Sequence, residues 1–130
     1  MAIYHCNHTA IGRRTHPPGT AAAHVNYITR ESATTEIIAA HMPENRHQAK
    51  RWITEQELSD YKDARVIDKI NVALPLELNY EQQRQLVIDY CKTVTKERTP
   101  WFAAIHNQAQ DAHNPHAHIV FRDRDIETGR

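Results

Sequence analysis

The stretch His106 to Phe121, HNQAQDAHNPHAHIVF, decides the fold. His116 and His118 lie two residues apart in an alternating run that ends in Ile119, Val120 and Phe121. Alternate residues of a strand face the same side about 7 Å apart, so both imidazoles can reach one cation. His106 closes an upstream apolar run, Trp101 to Ile105, and Asn114-Pro115 between the two runs is turn chemistry. A hairpin then sets His106 opposite the pair. Three imidazoles with coordination positions left open make a catalytic metal centre rather than a closed structural one. A chain with ten histidines can produce such a set by chance. The turn residues and the register of His106 weigh toward the metal.

Outward from the hairpin, Val66 to Leu74 alternates as a strand (Val66, Ile70, Val72, Leu74) and stops at Pro75, whose missing amide would spoil a ladder. Asn79 begins a helix that runs to about Glu97. Gln82 supplies the reciprocal side of its cap, and Leu86, Val87, Tyr90, Cys91 and Val94 mark its buried face. Nearer the N-terminus, Ala2 to His8 reads as a first strand and Gly12 to Gly19 as a loop. Thr20 is expected to cap a helix from Ala21 to about Glu31, with Val25 and Ile28 turned to the core and His24, Tyr27 and Glu31 sharing a face. Glu36 to Ala40 reads as a strand or as the end of a turn. Pro43 to Arg65 is a charged helical region with a capping box, Thr54-x-x-Glu57, near its middle, which leaves two short helices or one long one. The order strand, helix, helix, strand, helix, strand, strand predicts an α+β fold. Its sheet is antiparallel or mixed, covered by helices on one face, with the histidine strands near its centre. The other face is expected to be open to a ligand as large as a nucleic acid.

With 130 residues and 40% hydrophobic side chains the chain suits one domain with a real core. No run of 18 apolar residues occurs, and the start, MAIYHCNHTAIGRR, carries charge where a secretory signal needs an apolar stretch. A cytoplasmic protein is expected. Cys6 and Cys91 lie far apart without CxxC spacing and fit reduced thiols, Cys91 as plain core. Net charge is zero, which excludes nucleic-acid binding by bulk electrostatics and requires any such binding to be local. Residues 1 to 51 are the positive part, with six Arg or Lys against three Glu, although scattered basic residues also simply solvate a surface. Arg13, Arg14 and Arg30 are the candidates for phosphate contacts. His5, His8 and His24 are candidates to line a cleft, and His113 lies in the hairpin loop. Tyr4, Tyr61, Tyr80 and Tyr90 read as structural.

Several segments together resemble one family. They are the opening MAIYH, Asn26-Tyr27-Ile28-Thr29-Arg30-Glu31, and Val72-Ala73-Leu74-Pro75 with Glu77-Leu78. Ala104-Ile105-His106 and Asn114-Pro115-His116-Ala117-His118-Ile119 complete the set. In this order they resemble the relaxase domain of the MobA/MobL family of plasmid mobilisation proteins, within the HUH endonuclease superfamily. The resemblance implies a palm-like HUH relaxase fold and a site- and strand-specific DNA nickase and strand transferase acting at an origin of transfer. It places the family's tyrosine nucleophile at Tyr27, which would form a 5′-phosphotyrosine link and reseal the strand by reversal. It implies a divalent ion on His106, His116 and His118, with manganese or magnesium favoured by family precedent and zinc or nickel fitting by affinity. Implied partners are single-stranded DNA, accessory relaxosome proteins and a coupling protein. Family members continue beyond the point where Arg130 ends this sequence, so the resemblance implies a single relaxase domain over residues 1–130, truncated at its C-terminus.

One segment departs from the family pattern. Many relatives carry a glutamate in the strand before the ALP motif, where a carboxylate can orient a metal-ligating histidine, and here Lys69-Ile70-Asn71 stands instead. Strand parity puts Asp68 on the opposite face, whereas Asn71 shares the face of Lys69. Two other classes follow: a catalytically silent, metal-containing DNA-binding or regulatory module, and a zinc hydrolase using water as nucleophile. Retention of Tyr27 argues against the first, and the second leaves Tyr27 without a role.

Overall fold

The computed structural model describes residues 6–12, 14–30, 34–60, 64–107, 115–124 and 126, with the backbone alone at 6 and 7. Chain order among them is β1 (Cys6–Gly12), α1 (Thr20–Ile28), β2 (Glu36–Ala40), α2 (Arg46–Ser59), β3 (Arg65–Ala73), α3 (Tyr80–Thr95), β4 (Trp101–His106) and β5 (His116–Phe121). Glu36 to Ala40 is thus a strand. The five strands form one sheet in the order β1-β3-β5-β4-β2. Every neighbouring pair is antiparallel, so the fold is α+β with no parallel component. The last strand in sequence, β5, is the central one in space.

All six residues of β4 are buried, and only a sheet with a layer on each face buries both sides of a strand. Trp101, Ala103 and Ile105 face a core that includes Val87 and Cys91 of α3. Phe102 and Ala104 face a second core with Ala21, Val25 and Ile28 of α1 and Ala49 and Ile53 of α2. The expectation of helices on one face alone is therefore corrected: α3 covers one side of the sheet, α1 and α2 the other. Removing Phe102 and Ile105 fully from water, one toward each core, contributes roughly 1.5–3 kcal/mol apiece.

Helix ends depart from the sequence reading in all three helices. α1 is preceded by Gly19 at φ 88, without a side-chain cap, and the Thr20 hydroxyl donates back to the Pro17 carbonyl at 2.7 Å. α1 also stops at Ile28, and Glu31 lies outside the described residues. α2 is one helix capped by Asn45, whose side-chain oxygen accepts from the amides of His47 and Gln48. Thr54 does not cap, because the helix runs through it and its hydroxyl donates to the Lys50 carbonyl at 3.0 Å. The box at Asn79 and Gln82 forms as expected, with both reciprocal bonds present. α3 ends at Thr95 because Lys96 and Glu97 adopt left-handed backbone, and Val94 is 39% exposed rather than on the buried face. Gln83 and Thr95 are buried there with Val87 and Cys91.

Burial pushes the Cys91 thiol up to about 12, as befits inert core, and the Cys6 side chain lies outside the described set. Tyr80 is structural: its hydroxyl donates to Glu36 of β2, which also accepts from Arg84. Tyr4 and Tyr61 are outside the described residues. Among the described residues no helix is long and apolar enough to cross a membrane.

Candidate metal centre

β4 and β5 run antiparallel with His106 directly opposite His116 and Ala104 opposite His118. This register sets the three histidines on the face covered by α1 and α2. Their ring centroids lie 5.0, 4.7 and 4.9 Å apart. One nitrogen from each lies within 4.8 Å of the others, with His106 fully buried and His116 and His118 half-buried. His106 Nε2 is 2.6 Å from the carbonyl oxygen of Ile28, the last residue of α1. A carbonyl only accepts, so Nε2 carries the proton and Nδ1 keeps the lone pair, a tautomer set by an outer partner as metal-ligating histidines have it. The donor set fits a divalent first-row ion, since neutral imidazole suits nickel and zinc better than it suits manganese or magnesium, which prefer oxygen.

The environment favours the neutral form of His118 and His24. Burial, then the proximity of His106, His116, His24 and Arg30, lowers the His118 pKa to about 3. Burial and the charge of Lys69 lower His24 to about 4. His24 sits on α1 and joins Thr9, Lys69, Ile70, Asn71 and His118 around a cavity of about 220 Å³ beside the triad. Lys69 and Asn71 reach this face because they pair with Val120 and His118 of β5. Asp68 points the other way, as parity requires, and its carboxylate lies 3.0 Å from His8 and 3.5 Å from Arg65. His8 accordingly belongs to the opposite face, stacked 6.1 Å from Phe121, and does not line the cleft. His5 and His113 lie outside the described residues.

Tyr27 is 60% exposed on α1, one residue before the carbonyl that holds His106. Arg30 folds back on it, with its guanidinium carbon 4.2 Å from the ring centroid and Nη1 donating to the Tyr27 carbonyl at 2.9 Å. Arg14 is exposed in the turn after β1, and Arg13 is outside the described residues. Arg46, the first residue of α2, escaped the sequence reading. Its Nε donates to the Thr29 hydroxyl at 3.1 Å and its Nη2 to the Asn26 side chain at 2.8 Å and carbonyl at 3.1 Å. It therefore clamps the chain on both sides of Tyr27. No spacing announces it, because its partners are 17 and 20 residues upstream and one of them is a backbone oxygen.

Mobilization protein A of Escherichia coli is 32% identical over 132 residues, covering 95% of this chain and 18% of the relative. The 43 kDa relaxation protein of Salmonella typhimurium is 30% identical over 142 residues, covering 95% of this chain and 35% of the relative. The chain thus spans about a fifth and about a third of these two relatives. A structure solved in work on the molecular basis of vancomycin resistance transfer in Staphylococcus aureus shares the fold, with a TM-score of 0.70 at 17% identity over 98% of this chain and 73% of that one. The family model described as MobA/MobL matches residues 19–130, which takes in α1 with Tyr27 and both histidine strands. On that match this chain belongs to the MobA/MobL family.

Proposed function

We propose that residues 1–130 act as a metal-dependent relaxase domain of HUH type, nicking one DNA strand at an origin of transfer during plasmid mobilisation. The observation that carries this reading is the bond from His106 to the last carbonyl of α1, which couples the histidine centre to the helix bearing Tyr27. The names of the two relatives support a role in mobilisation and relaxation.

Tyr27 is the nucleophile. Its phenol oxygen bonds to phosphorus and loses its proton, while the bond from phosphorus to the 3′ oxygen breaks and that oxygen leaves as a hydroxyl. The product is a 5′-phosphotyrosine. The reverse attack by the 3′ hydroxyl reseals the strand, and the stored ester makes a nucleoside triphosphate unnecessary. Arg30 holds the Tyr27 ring by its cation over the π face, and Arg46 fixes the backbone on either side. His106, His116 and His118 would hold a divalent ion, which would supply positive charge to the phosphate oxygens when bound. Family precedent favours manganese or magnesium, and zinc or nickel fits the imidazole set by affinity. Arg14 and Arg30 are proposed DNA contacts, as is Arg13. Accessory relaxosome proteins and a coupling protein are proposed partners in the cytoplasm.

The second reading, a silent DNA-binding module with the same centre, draws on Lys69 and Asn71 standing where relatives carry acidic residues. Incubation with labelled single-stranded oligonucleotides from the chain's own element, with manganese or with EDTA, separates the two. A denaturation-resistant adduct that needs metal and disappears in Tyr27→Phe is expected. Metal and DNA binding without any adduct would favour the silent module.

A further inference from the structure

The cavity beside His118 has one charged side chain among its lining, and it is a cation. Lys69 pairs across to Thr9 on β1 and Val120 on β5, and Asn71 pairs to His118. Residues two apart along a strand stand about 7 Å apart and directly paired ones about 5 Å, so Lys69 stands one diagonal from His118 on the same face, and its charge reaches His24 of α1 across the cavity. Asn71 and Thr9 add an amide and a hydroxyl to the same wall. The adjacent carboxylate, Asp68, is committed on the opposite face to His8 and Arg65. Among the described residues no carboxylate pairs with Lys69. An ammonium has no lone pair, so Lys69 can neither ligate a cation nor accept a proton from an imidazole. A half-buried cation facing a polar cavity without a counter-charge is suited to an anion.

We propose that Lys69, with Asn71 and Thr9, forms an anion subsite against the histidine centre that binds the phosphodiester oxygens of a single-stranded nucleic acid. Lys69 is a positioning residue in this arrangement: it holds a phosphate in register with the metal centre and touches neither Tyr27 nor the metal. The identity of the anion as DNA phosphate rests on the relaxase reading; the subsite itself does not.

The test compares the unaltered chain with Lys69→Met, which keeps the stem, and Lys69→Arg, which keeps the charge. For the manganese-loaded proteins, anisotropy of a labelled single-stranded oligonucleotide is followed over a range of salt. Lys69→Met is expected to bind about tenfold more weakly, a loss typical of one charge-assisted contact, with Lys69→Arg close to the unaltered chain. The slope of log affinity against log salt is expected to fall by about 0.7, the value for one phosphate on a single strand. Manganese affinity and the melting temperature are expected to stay unchanged in Lys69→Met. In parallel, inorganic phosphate is titrated into the EDTA-treated proteins while the ring signals of His24 and His118 are followed by NMR. Phosphate is expected to shift them in the unaltered chain and not in Lys69→Met. If phosphate shifts them while the oligonucleotide does not bind, the subsite stands and the relaxase reading fails. Equal phosphate response and equal DNA affinity and slope in Lys69→Met would overturn the proposal. So would tighter manganese binding in Lys69→Met with anion binding unchanged, since Lys69 would then only oppose the metal.

Discussion

His118 and His24 show what burial does to an imidazole placed beside other bases. Their folded pKa values, about 3 and about 4, lie below the ordinary 6.5, so folding favours the neutral form. The stability they contribute is present above 6.5 and is lost as pH falls toward those folded values, because the unfolded chain takes up protons first. In EDTA the melting temperature is therefore expected to drop as pH is lowered from 6.5 to 4, and His118→Asn to flatten that fall. A melting temperature level across this window would contradict the assignment. The closeness of the three histidines was legible, because a two-residue spacing is a local fact, whereas Asn114 of the expected turn lies outside the described residues. His8 was misplaced for the opposite reason: its face depends on pairing with Ile70, which no local pattern reveals.

The element that most needs a neighbour is α1. Nine residues are too few to persist alone in water, so packing and the bonds at its C-terminal end hold it. Arg46→Ala removes three hydrogen bonds to Asn26 and Thr29 and is expected to cost about 1–2 kcal/mol in stability. It should slow adduct formation well beyond its effect on metal affinity, since it loosens the backbone of Tyr27 and leaves the strands alone. Equal losses in both, read by single-turnover nicking and by metal titration, would mean a general structural role. Cap signals had mixed value at this scale. Asn79 with Gln82 formed the box because a strand stop at Pro75 precedes it. The same pattern at Thr54 and Glu57 fell inside a helix already started by Asn45, where the hydroxyl turns back on Lys50.

For the molecule as a whole, the two-sided cover was readable in one place only. Trp101 to Ile105 is apolar without alternation, the mark of a strand buried on both faces, whereas the neighbouring strands alternate and suggest one. The end of β5 is anchored beyond the sheet by Arg122, which donates to both Asp60 oxygens at 2.8 and 3.0 Å and to the Val66 carbonyl at 2.9 Å. Both side chains are buried, so Asp60→Ala leaves a buried guanidinium without its carboxylate and is expected to cost about 3–5 kcal/mol, measured by urea unfolding. A loss under about 1 kcal/mol would mean that water reaches Arg122, as at an exposed pair.

The strand order also sets a timetable. Before residues 116–121 leave the ribosome, the chain can form two separate antiparallel pairs, β1 with β3 and β2 with β4. Only β5 joins them, and it brings two of the three histidines with it. Both pairs close over long sequence separations, which makes them slow to form, and each leaves a strand edge open in the meantime. During synthesis the sheet therefore gains its middle strand last among the described elements, and the histidine triad is complete only then.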